Sequence, residues 1–104
     1  PMDLPVLELL ATPANLTTAG DTHRYRFSVE ESGRYVVETV GQTDLTMSLY
    51  GPDSADIPMA NDDDSGDKYN PRISTVLDPG TYLVHVRHYN TSSGTGQYGI
   101  RVWR

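Results

Sequence analysis

Apolar and polar side chains alternate along most of this chain, and that period of two commits it to extended strands with one dry and one wet face. In "HRYRFSV" (residues 23–29) Tyr25, Phe27 and Val29 share one side, and Arg24, Arg26 and Ser28 share the other. "RYVVETV" puts Tyr35 and Val37 together, and "DLTMSLY" sets Leu45, Met47 and Leu49 against Thr46, Ser48 and Tyr50. "TYLVHVRHY" turns Tyr82, Val84 and Val86 inward; "QYGIRVW" does the same with Tyr98, Ile100 and Val102, leaving Arg101 and Trp103 outward. "RISTVL" reads as a further strand, and "LELLATPANLTTAGD" as a short edge strand followed by a second short strand. Turns such as "EESG" and "DPG" break these runs about every 8–12 residues, the pattern of two packed antiparallel sheets. In "DPG", Pro79 presets one backbone angle and Gly80 tolerates a positive one. No segment carries a helical repeat. The expectation is one all-β domain over residues 1–104, an antiparallel sandwich of about eight strands, with residues 1–20 as linker or edge strand.

A chain of 104 residues can bury most of its apolar surface without cross-links. It has no cysteine, which removes disulfides, thiol catalysis and thiolate metal sites together. Fourteen acidic against eight basic side chains give a net charge of −6. Such a charge repels phosphate backbones and anionic lipid, so neither nucleic acid nor a membrane is an expected partner. No apolar run approaches the ~20 residues that span a bilayer. The opening "PMDLPVLELL" lacks a basic segment followed by an apolar one, and a chain starting at Pro1 reads as an excised piece.

Motifs with catalytic associations fail on context. "GTGQYG" (Gly94, Gly96, Gly99) fits a dinucleotide-binding spacing, but that motif needs a helix to follow and here a strand does. His85 and His88 are three apart on a strand and point to opposite faces, so they cannot share an ion. His23 stands alone. No serine sits in a nucleophile-elbow pattern, and no two carboxylates outside the acidic loop are brought together. The sequons at Asn15 and Asn90 matter only in a eukaryotic secretory setting. The chain reads as not an enzyme.

"MANDDDSGDKYNPR" (residues 59–72) places four of the ten aspartates within positions 62–67. Crowded carboxylates repel one another, and Ca²⁺, which takes six to eight hard oxygen ligands in loose geometry, would relieve that. Asn61, Asp62, Asp63, Asp64 and Asp67 are the candidate ligands, with Asp44 at the mouth of a strand as an additional one. The spacing Asp62, Asp64, Gly66 echoes an EF-hand loop. The twelfth position, however, is Ile73 rather than a bidentate Glu, which rejects it. The alternative is a solvated turn in which Asn and Asp side chains bond to nearby backbone, with Asp44 capping "GQTD".

Five motifs in order now carry a resemblance: Gly33–Tyr35, Asp44–Tyr50, Asn61–Asp63, Pro79–Tyr82 and Gly96–Tyr98. Across residues 20–103 the chain resembles a bacterial pre-peptidase C-terminal domain. The resemblance implies a jelly-roll-like sandwich near the C-terminus of secreted peptidases and other exported hydrolases, itself non-catalytic. Some such domains are removed after export, and some bind the enzyme's insoluble substrate. The collagen-binding domains of clostridial collagenases are relatives that hold Ca²⁺ partly through an acidic N-terminal linker. This chain departs from them, offering only Asp3 and Glu8 there, so any ion is expected near Asp44 and Asp62–Asp64.

A module that docks on a polymer needs exposed flat side chains. Strand parity turns Trp103, Tyr50, His85 and Arg87 outward, while Tyr89 and Tyr69 lie in or beside loops. For Trp103 the other reading is packing on a neighbouring strand or on a parent enzyme. The function expected is a non-catalytic accessory domain of a secreted bacterial hydrolase, joined to a catalytic domain on its N-terminal side. It would hold that enzyme on a protein or polysaccharide matrix. The alternatives are a cap that aids export or folding and is then cleaved, and a carbohydrate-binding module.

Overall fold

A computed structural model describes residues 2–3, 12–52, 59–62 and 70–104. They form β1 (Met2–Asp3), β2 (Thr12–Leu16), β3 (His23–Val29), β4 (Gly33–Val40), β5 (Leu45–Tyr50), β6 (Ala60–Asp62), β7 (Arg72–Leu77), β8 (Gly80–His88) and β9 (Gly96–Trp103). No helix occurs among the described residues. One sheet has five strands in the order β1-β3-β8-β5-β6, the other four in the order β2-β9-β4-β7. β2 pairs with β9, β3 with β8, β4 with β7 and β5 with β6, all antiparallel. Nested pairs of that kind are one long hairpin rolled over on itself, the jelly-roll arrangement. The departure from an antiparallel whole is β1, two residues running parallel to β3. Both β1 and β2 lie at sheet edges. Residues 4–11 lie outside the described set.

Every side chain assigned inward from the period of two is buried: Tyr25, Phe27 and Val29; Tyr35 and Val37; Leu45, Met47 and Leu49; Tyr82, Val84 and Val86; Tyr98, Ile100 and Val102. Leu16 from β2 and Ile73 and Leu77 from β7 complete one core between the sheets. The inward tyrosines use their hydroxyls in two ways. Tyr35 donates to the Glu31 carbonyl and Tyr82 to the Asp78 carbonyl, each at 2.7 Å and each four residues back. Those bonds pin the turns that open β4 and β8. Tyr25 and Tyr98 instead face one another across the sandwich.

β4 departs from simple alternation, because Val36 and Glu38 on its outer side are buried as well. It is a central strand, and cross-strand neighbours cover it. Trp103 lies opposite Val36, Arg101 opposite Glu38 on β9, and Arg72 opposite Glu38 on β7.

Candidate functional site

The outer face of the five-stranded sheet collects three of the five predicted contact residues. Register sets Tyr50 opposite Leu83, Ser48 opposite His85 and Thr46 opposite Arg87, while Arg24 faces His85 from the other side. The Tyr50 and His85 rings touch, centroids 4.5 Å apart and tilted by 47°. Partial burial, with a smaller push from the Arg24 guanidinium, holds the His85 imidazole below its ordinary pKa, so it stays neutral where a free histidine begins to charge. Arg26 is held by Asp3 at 2.7 Å, and that bond lowers the Asp3 pKa and raises that of Arg26. Beside Arg87 lies a shallow depression of about 440 Å³, lined also by Thr46, Ser48, Asn61 and Asp62. Tyr89 is 59% exposed just past β8, anchored by its N–H on the Asp44 carbonyl at 2.9 Å.

Trp103 is elsewhere, on the outer face of the four-stranded sheet. Its Nε1 donates to Glu38 Oε2 at 2.6 Å, beside Arg101 Nε at 2.9 Å on the same oxygen. Arg72 approaches Oε1 at 3.8 Å and lies 5.7 Å from the indole centroid. Trp103 therefore packs over β4, the other reading open to it. A wider groove of about 880 Å³ lies on the same sheet, between Pro13 and Asn15 of β2, Gly99 of β9 and the Val40–Thr43 turn.

The predicted cation ligands are divided. Asn61 leaves the outer side of β6 and accepts from the Ser48 hydroxyl at 2.6 Å. Asp62 leaves the inner side, opposite Met47, and its Oδ2 accepts the Arg72 N–H at 2.7 Å. Asp44 precedes β5, three residues before Met47. Asp63, Asp64 and Asp67 lie outside the described residues, as does Tyr69. Among the described residues no three carboxylate or imidazole side chains come together in a way that could hold a metal.

Sequence reasoning did not anticipate the contact between Tyr25, Tyr98 and His23. The two hydroxyls are 2.5 Å apart and His23 Nδ1 is 2.7 Å from the Tyr98 hydroxyl, joining β3 of one sheet to β9 of the other. Burial raises the Tyr25 and Tyr98 pKa values, and the short bond raises Tyr98 further, so both remain neutral donors. Glu38 and Arg24 were likewise not singled out. Parity turned Arg24 outward, but only strand order supplies the neighbours of either residue.

A family model described as bacterial pre-peptidase C-terminal domain matches residues 21–88. Among solved structures, the chain is similar to the pre-peptidase C-terminal domain of a collagenase from Bacillus anthracis, with a TM-score of 0.70 at 19% identity, covering 97% of this chain and 90% of that one. It is also similar to PliG of Aeromonas hydrophila, a periplasmic inhibitor of g-type lysozyme, with a TM-score of 0.64 at 18% identity, covering 97% and 96%. At such identities the likeness is one of fold. No curated protein matches the chain in sequence.

Proposed function

The chain belongs to the bacterial pre-peptidase C-terminal domain family, and from that premise we propose that it is a non-catalytic accessory domain of a secreted bacterial hydrolase. Its task is to hold a catalytic domain, N-terminal to it, against a macromolecular matrix. The observation that carries this reading is the outer face of the five-stranded sheet, where Tyr50, His85 and Arg87 are brought together by register. Aromatic and arginine side chains on a flat face supply contact area at low entropic cost.

Pull-down on insoluble collagen, chitin and cellulose tests it. Retention on one matrix, lost in Tyr50→Ala and kept in Trp103→Ala, supports docking through this face. Uniform failure to bind favours the maturation cap, and loss with Trp103→Ala alone moves the site to the other sheet, as in a carbohydrate-binding module.

Ca²⁺ is the ion that the oxygen donors of the acidic segment suit. Asp62 already accepts a backbone N–H, so the proposal rests on Asp63, Asp64 and Asp67 supplying most of the ligands. An ion that binds only the folded chain raises Tm by linkage. A midpoint higher in added Ca²⁺ than in EDTA is the expected outcome, reduced in Asp63→Asn; equal midpoints leave the segment a solvated turn.

A further inference from the structure

The chain is acidic as a whole, and each outer face carries three arginines. Arg34, Arg72 and Arg101 lie on the four-stranded sheet, where Glu38 holds Arg72 and Arg101, whereas Arg24, Arg26 and Arg87 leave the outer face of the five-stranded sheet. Asp3 neutralises Arg26, whereas Arg24 and Arg87 form no ion pair with any described residue. Asp62 lines the depression beside Arg87 but sets its Oδ2 on the Arg72 N–H, and Asp44 lies just before β5. Arg24 faces His85 across the β3–β8 ladder, and Arg87 follows two residues along β8. Strand spacing and rise then set the two arginine Cα atoms roughly 8 Å apart on the diagonal. The Tyr50–His85 pair lies alongside.

From this placement we infer that the face binds an anionic polysaccharide, Arg24 and Arg87 taking its carboxylate or sulfate groups and the Tyr50–His85 pair a sugar ring. The inference rests on the matrix-docking reading and names its ligand class. Guanidinium groups match such oxyanions in fixed fork geometry. An acidic peptide could also meet an arginine pair, but the Tyr50–His85 ring pair beside the arginines offers the aromatic surface on which a sugar ring lies, which favours the polysaccharide. A duplex nucleic acid carries one charge per about 1.7 Å of axis, denser than one carboxylate per sugar, so a chain of net charge −6 repels it more strongly at long range.

Native electrophoresis of the chain through gels containing polygalacturonate, dextran sulfate or neutral dextran tests the inference. Retardation by polygalacturonate or by dextran sulfate, but not by dextran, is expected; which of the two acts tells carboxylate from sulfate. The Arg24→Gln/Arg87→Gln pair should weaken the apparent affinity about tenfold or more. Arg34→Gln/Arg104→Gln, the same charge change on β4 and after β9, should keep it within about twofold. A strand-type far-ultraviolet spectrum in both double variants excludes misfolding as the cause. Equal losses in the two pairs, or equal retardation by poly-glutamate or single-stranded DNA, would overturn the inference. No retardation in the anionic gels, with retention on collagen, chitin or cellulose intact, sinks the inference alone. Absence of binding to every matrix removes the docking reading with it.

Discussion

Tyr98 shows how much one buried hydroxyl can organise. It contacts the Tyr25 hydroxyl and His23 at once, so Tyr98→Phe leaves two polar groups short of a partner. A cost of about 1–3 kcal/mol in urea unfolding is expected. The Tyr25→Phe/Tyr98→Phe pair should cost less than the sum of the singles, since each single already breaks their shared bond. Glu38 is a second such residue, 7% exposed beneath Trp103 and Arg101. Glu38→Ala leaves those donors facing no carboxylate and should cost about 3 kcal/mol. His85 provides the pH dependence. Its folded pKa lies below the ordinary 6.5, so the unfolded chain takes up the proton first. Its contribution is full above that ordinary value and is lost as pH falls toward the folded pKa. Denaturant midpoints measured just above and well below 6.5 should therefore differ less in His85→Gln than in the parent chain.

Among the elements, β7 is the one most dependent on distant help. Among the described strands it pairs with β4 alone and lies at a sheet edge. Its start is fixed by the Asp62 carboxylate on the Arg72 N–H, and by buried Asn70, which donates to the Gly41 carbonyl and accepts from the Thr39 hydroxyl, each at 2.9 Å. Asp62→Ala should cost about 1–2 kcal/mol and speed amide exchange first in β7, which hydrogen exchange reads directly. The start of β9 has a different constraint. Gly96 has φ +153° and a Cβ there would meet the Thr43 hydroxyl, which itself donates to the Gln97 carbonyl. Gly96→Ala should destabilise by roughly 1–3 kcal/mol through strained backbone. "GTGQYG", which resembled a nucleotide motif, owes at least this glycine to a turn between strands.

At the scale of the whole molecule, the nested strand pairs give the domain two outer faces with different chemistry. One carries Tyr50, His85 and two arginines outside any described ion pair; the other buries Glu38 under Trp103 and opens a groove between β2, β9 and the Val40–Thr43 turn. Under the proposed docking role one of these faces meets the matrix, and the other is the surface offered to a catalytic domain. Trp103 and Tyr50, both outward by parity, cannot bind one ligand together, because the sandwich separates them.

The strand pattern and the inner set from Tyr25 to Val102 were legible in the sequence, since the alternation of side chains follows from local backbone geometry and needs no knowledge of neighbours. The order of five short motifs pointed to the same fold. What remained closed was which polar side chains meet. Glu38 meets Arg101 across 63 residues and His23 meets Tyr98 across 75. Only strand order and register bring such pairs together, and a one-residue slip would reverse the face that each presents. The tertiary structure therefore decided which polar groups are buried and which arginines stand beside His85, for those are facts of non-local pairing rather than of period.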